Sequence, residues 1–304
     1  MKKGFILVIN LSLSLLFINP VSSQNYIDLL KVEYSLSKGN KFKTHPNSSN
    51  VYEWVVDATV PIVLSENNTL LTGFLYENSK VIAYAGMDQI NLFTLNLKLG
   101  INKIYSAKWS ATYLFLPKLS SDLQTIKSND FQMGAVTIFK LSKNAYLNYK
   151  FGAYYNFELS GPFLVPLVGI YYQKSKFEAN IMLPLAVDLN YSILSQFRVG
   201  FKFSGFIKSF HLNDTFNGMS QYISKANNEI GGYLGFSKGN VNLIAMLGTS
   251  IGRSYRTYEI EDRLGFSLSA IKFGDNRNQL NTDFADGLVV RTSLIYRFTF
   301  AEKE

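Results

Sequence analysis

Two histidines and no cysteine narrow the chemistry open to this chain of 304 residues. His45 stands in a polar stretch, and His211 stands in Phe210-His211-Leu212-Asn213-Asp214. A histidine beside a serine and an acid or amide can activate a hydroxyl for nucleophilic attack. No serine stands at a diagnostic spacing from His211, so a solvated histidine at a strand end is the simpler reading and no enzyme is expected. Without thiolates, two distant histidines make a poor ligand set, and neither a metal nor a cofactor is expected. Glu259, Glu261, Asp262, Asp275, Asp283 and Asp286 gather late in the chain. Carboxylate oxygens can hold a divalent cation, but the spacing is not that of an EF-hand, and a solvated acidic loop explains it.

The cations are more informative. Lys98, Lys108, Lys150, Arg198, Lys202, Arg291 and Arg297 all fall on the polar phase of alternating segments. If those phases face an enclosed interior, these side chains line it, and rings of Lys and Arg can select anions in a pore. The alternative is that they pair with interior carboxylates such as Glu53, Asp57, Glu158, Glu178 and Asp188 and fill the space. Pairing is the simpler of the two.

The elements that must position these residues show period two. Tyr52, Trp54, Val56, Ala58, Val60 and Ile62 share one face, opposite Glu53, Asp57 and Thr59. Phe93 to Ile101 alternates likewise, and after a turn at Asn102-Lys103 the pattern resumes from Tyr105 to Phe115, with Ser106 and Lys108 in the polar phase. Further alternating runs are 147–157, 197–204, 241–248 and 288–300. Several exceed the usual soluble strand of about 5–6 residues. A tilted membrane strand needs about 9–11. Short turns are expected at 142–144, 174–176, 192–196 and 237–240, and longer loops at 38–50, 117–130, 212–228 and 253–285. Phe266 to Phe273 reads as a strand or a short helix inside the last loop. Pro184 bears on the count: a proline cannot donate to a central ladder, and a break there puts every short turn at one end with 14 strands. Two strands that short would barely cross the apolar band, which leaves 12 as the main alternative.

Composition agrees with strands greasy on one face only. The chain has 24 Phe and 19 Tyr, only 7 Pro, and 17% charged residues. Lys2 and Lys3, the apolar run from Phe5 to Ile18, Pro20 and Val21-Ser22-Ser23 have the anatomy of a secretory leader over residues 1–23. Residues 24–304 then form one domain. Loss of the leader takes the net charge from +8 to +6, because only Lys2 and Lys3 are charged in it. That mild balance gives no case for nucleic acid as a partner.

Leu294-Ile295-Tyr296-Arg297-Phe298-Thr299-Phe300 resembles the terminal strand by which Gram-negative outer-membrane barrels are recognised by their assembly machinery. Phe300 takes the place of the closing aromatic, and a charged tail, Ala301 to Glu304, follows it. Asn180 to Gly205, with Leu183-Pro184 and then Tyr191, also resembles uncharacterised outer-membrane barrel families. The resemblance implies lipid of the bacterial outer membrane and the assembly machinery as partners, and it is nearly silent about activity.

The expected fold is therefore all-β: a transmembrane antiparallel up-and-down β-barrel of about 12–14 strands, closed because unpaired edges are costly in lipid. Tyr113, Phe115, Phe157 and Tyr296 are expected in interfacial girdles. The functional expectation is a passive pore or transporter for small solutes, or alternatively a non-catalytic structural or binding barrel whose outer loops contact a partner.

Overall fold

The computed structural model describes residues 26–216 and 219–299, so the leader and Phe300 lie outside the described residues. In chain order the strands are β1 (Tyr26–Lys41), β2 (Ser48–Ser65), β3 (Asn68–Val81), β4 (Ile90–Ile104), β5 (Trp109–Ser121), β6 (Phe131–Asn144), β7 (Leu147–Glu158), β8 (Gly161–Lys174) and β9 (Phe177–Leu183). They continue with β10 (Ala186–Ser192), β11 (Phe197–Phe216), β12 (Met219–Lys238), β13 (Val241–Ser250), β14 (Ser254–Glu259), β15 (Phe266–Leu268), β16 (Ile271–Phe273) and β17 (Leu288–Thr299).

Each of β1 to β12 pairs antiparallel with its successor. β17 then joins β13 on one side and β1 on the other, with Tyr26 opposite Thr299 and Lys38 opposite Leu288. The result is a closed barrel of 14 staves. Closure joins the first stave to the last, so neither is left as a free edge, which is the condition for strands to cross hydrocarbon.

The barrel is apolar outside and polar inside. Leu95, Leu97 and Leu99 of β4, Phe151 and Phe157 of β7, Leu243 and Leu247 of β13 and Leu294 of β17 stand exposed on the outer face. Phe115, Phe157 and Tyr296 of the expected girdles are among the exposed aromatics. Glu33, Glu53, Glu77, Asn148, Asn156, Glu158 and Asn242 are buried within. A soluble protein would exchange these two sets. Surrounded by lipid tails, the outer face loses nothing by exposure, so this is a membrane-spanning barrel of the outer-membrane type.

The break at Pro184 is real: β9 and β10 are seven residues each and are joined by Pro184-Leu185. All connections at one end are short, and the other end carries the extended ones, 42–47, 82–89, 122–130 and 251–287. Three expectations change. The turn expected at Asn102-Lys103 lies at 105–108, where the Tyr105 amide donates to the Trp109 carbonyl at 2.9 Å. Lys108 therefore sits in an exposed turn rather than on an interior face, since a period-two phase has no meaning once the chain reverses. The loop expected at 212–228 is strand over most of its length, because β11 and β12 run 20 residues each. Phe266 to Phe273 is a small β-hairpin, β15 with β16.

The short β9–β10 pair leaves the outer part of the wall incomplete. β9 reaches only Val168 of β8, and β10 reaches only Ser204 of β11. Above Val168, Pro162 and Pro166 lie on the open edge of β8. The Gln173 amide points to the β7 side and the Leu164 carbonyl to the other, where it accepts from Ser269. Pro162 and Pro166 share the phase of Leu164, so the donors they lack face an edge that has no continuous ladder to supply.

Candidate functional site

Above Ser204, β11 and β12 leave the wall and cross the interior. β11 sits between β10 and β12 in the barrel, yet His211 pairs with Ser121 of β5, six staves away. The tether is polar. The Ser209 carbonyl accepts from Ser120 Oγ at 2.8 Å and from Gln132 Nε2 at 3.1 Å. The Ser209 amide donates to Glu158 Oε2 at 2.7 Å, and the Asp122 amide donates to the His211 carbonyl at 3.1 Å. β14 adds a third strand on the far edge of β12, Gln221 opposite Glu259 to Ala226 opposite Ser254.

Both faces of this three-stranded sheet are covered. On one, Phe210, Leu212 and Ile223 join Phe42, Val51, Val81, Leu92, Tyr255 and Phe284 in an apolar cluster. On the other, Tyr222 packs with Leu159, Tyr258 and Ile260. Burying such side chains stabilises by about 1.5–3 kcal/mol each, which helps to offset removing the wall's polar interior from water.

Below the apolar cluster, charges hold the crossing sheet to the wall. Lys225 of β12 is fully buried and contacts Glu53 of β2, Glu77 of β3 at 2.8 Å and Ser79 at 3.1 Å. Lys208, its cross-strand partner on β11, also pairs with Glu77. The two ammonium groups lie 4.8 and 5.1 Å from the centroid of the Phe206 ring. Arg253 and Arg291 share Glu229, and Lys118 pairs with Glu158, which also receives Ser209. Two cations of the crossing sheet, Lys208 and Lys225, thus meet carboxylates of the wall.

The residues marked by the sequence lie mostly elsewhere. Lys98 pairs with Asp57 and donates to Thr59 Oγ1 at 2.9 Å. Arg198 donates to Ser237 and Asn242 at 2.7 and 3.1 Å. Lys150 lies 3.4 Å from Asn180 Oδ1 and over the Tyr171 ring. Lys202 stands opposite Asp188 across the β10–β11 ladder. Arg297 grips Asp28 at 2.6 and 3.1 Å and stacks on Tyr26. Arg291, held by Glu229, is the one marked cation that reaches the charge network at the crossing sheet. Lys118, Lys208, Lys225, Arg253, Glu77 and Glu229 were missed. The signal available was the pair Lys208 and Lys225 on either side of a reversal, which the loop expected at 212–228 concealed.

The outer loop after β13 is a lid of arginine–carboxylate pairs. Arg256 grips Asp283 with two bonds of 2.9 Å, and this hydrogen bonding holds Asp283 below the usual carboxylate range. Arg277 bonds Asp275 at 2.8 Å and holds its carboxyl down at about 2. Asp286 is pushed up by burial, but the amides of Arg253 and Gly252 and the Ser250 hydroxyl outweigh that and keep it low. The acids that looked free for a cation are therefore largely engaged. Among the described residues no cluster of three or more His, Asp or Glu is arranged to hold a metal. His45 is exposed in the 42–47 loop.

Among solved structures the chain is similar to the COG4313 outer membrane channel from Pseudomonas putida F1, at 8% identity over 92% of this chain and 98% of that one, TM-score 0.46. It is similar to the TodX monoaromatic hydrocarbon channel at 9% identity over 90% and 91%, TM-score 0.39. It is similar to the NanC porin at 12% identity over 88% and 98%, TM-score 0.36. No curated protein matches the chain. A family profile matches residues 84–282, from just before β4 to just before β17, and so takes in the whole crossing sheet. With about two thirds of its length matched, this barrel belongs to the family described as a domain of unknown function, DUF6268.

Proposed function

We propose that the protein is a channel of the bacterial outer membrane for small solutes, gated by its own β11–β12 hairpin. One observation carries the reading: Lys225, on the hairpin, is buried between Glu53 and Glu77 of the wall. A barrel that served only as a scaffold could fill its interior from the wall. Here the filling element is a continuation of two staves, hinged where they leave the wall at Ser204, and held by charge pairs that can exchange for water or ions. Export would use the leader at 1–23, and insertion would use the terminal stave β17 with Phe300 as the signal read by the assembly machinery. In the open state Arg198 and Lys202, which among the described residues form no ion pair of the Arg297–Asp28 kind, would supply what anion preference the channel has.

The test is single-channel recording in planar bilayers. The wild type should be mainly closed. Replacing residues 205–228 by an Asn-Gly turn, which joins the cross-strand pair Ser204 and Glu229 and removes Lys208 and Lys225, should give steady current. Heat-modifiable migration on a detergent gel certifies that the shortened barrel folds. A folded shortened barrel without current would reject the channel and leave the second reading, a closed structural barrel whose outer loops contact a partner.

A further inference from the structure

We propose that Ser220, His211 and Asp130 form a serine-esterase site at the outer mouth of the barrel, independent of whether the barrel conducts. His211 Nδ1 lies 2.6 Å from Asp130 Oδ1, and His211 Nε2 lies 3.2 Å from Ser220 Oγ. The three residues come from separate places: the start of β12, the outer part of β11, and the turn Ser128–Asp130 before β6. Asp130 is fully buried, and its second oxygen accepts the Lys127 amide at 2.8 Å, so the carboxylate cannot swing. It therefore fixes the proton on Nδ1 and turns the Nε2 lone pair toward the serine hydroxyl, the order that a nucleophile, base and orienting acid require.

Ser220 is half-buried beside the register shift between Leu212 and Phe216, and its carbonyl accepts the Ile260 amide at 2.9 Å. Tyr222, the cross-strand partner of His211, lies in the cluster with Leu159, Tyr258 and Ile260. The reacting hydroxyl thus stands between an apolar floor and the outer solvent. That setting suits a carboxylic ester with a short apolar acyl group. Ser220 Oγ adds to the ester carbon while His211 Nε2 takes its proton. The bond from carbon to the alcohol oxygen then breaks as His211 returns that proton to the departing alcohol. Water repeats the sequence on the acyl-serine and releases the carboxylic acid, and Asp130 positions the ring throughout.

The full-length barrel in detergent is treated with a fluorophosphonate and assayed with p-nitrophenyl butyrate, using only heat-modifiable material. Labelling is expected at Ser220. Ser220→Ala should abolish it and lower hydrolysis by about 10²-fold or more, the scale of acid–base and nucleophilic catalysis. Asp130→Asn should lower the rate and displace its pH profile. Because the chain has no cysteine, Ser220→Cys supplies a second readout free of substrate choice. Alkylation of that thiol by iodoacetamide should show an inflection below the ordinary thiol value of about 8.5, lost on adding Asp130→Asn. An unlabelled Ser220 in folded protein, hydrolysis unchanged in Ser220→Ala, or a thiol titrating only near that ordinary value would each overturn the site.

Discussion

β11 and β12 run through both the wall of the barrel and the sheet that crosses it, and the two regions treat period two in opposite ways. Below Ser204, Phe201 faces outward and is exposed, while Arg198 and Lys202 face in. Above it, Ser209, Phe210, His211 and Leu212 are all buried, as are Gln221, Tyr222 and Ile223. In the wall, one phase meets lipid and the other meets a polar interior, so neighbouring residues differ in kind. In the crossing sheet each phase meets protein, so both carry apolar groups and both carry hydrogen-bonding ones. The difference shows that alternation reports what the two sides of a strand touch, not whether it is a strand.

The same contrast separates the charges. Lys98 and Asp57 pair within the wall between partly exposed groups, whereas Lys225 joins the hairpin to β2 and β3 from a site with no exposure. The largest expected effect follows from this. Lys225→Ala leaves Glu53 and Glu77 buried with one cation fewer and should cost about 3–5 kcal/mol in denaturant unfolding of the detergent-folded barrel. Lys98→Ala should cost about 1 kcal/mol or less. Equal losses would erase the distinction between wall and plug.

The outward phase can be tested by a charge in the wrong place. Leu97 lies at the middle of β4 and faces outward. Leu97→Arg should cost about 2–4 kcal/mol in phospholipid vesicles, as expected near the bilayer midplane, and much less in a detergent that adapts around it. A neutral result in vesicles would place that stripe outside the membrane.

The smallest effect concerns the lid rather than either region. Asp275 and Asp283 are held below the ordinary carboxylate value of about 3.9 by their arginines. Their stabilisation is complete above that value and fades as pH falls toward about 2, where Asp275 takes up its proton. Pepsin cleavage within 260–285 should therefore rise between those pH values while the wall stays heat-modifiable. Cleavage already rapid near pH 4 would mean that these pairs do not hold the loop.

The staves could be read because lipid imposes a rule on every second residue. Phe93 to Ile101 and Leu147 to Phe157 obey it and were placed correctly. Pro184 pointed to 14 staves rather than 12, since a missing donor tells in an otherwise continuous ladder. Residues 212–228 were unreadable for the complementary reason: a polar residue followed by an apolar one, with no fixed side, looks like a loop when both sides are to be filled by distant parts of the chain. Lys108 erred in the other direction, because an alternating phase was carried through a reversal.

What the amino-acid order determined by itself is the two-faced stave and the need to close the ring, because each follows from contact with a uniform solvent, hydrocarbon on one side and a wet interior on the other. Only the tertiary structure decided that β11 and β12 turn inward, that Lys225 lies between Glu53 and Glu77, and that Ser220 and Asp130 meet on His211. Those are contacts between particular side chains far apart in sequence, and a repeating pattern records which side a residue faces without recording which residue stands there.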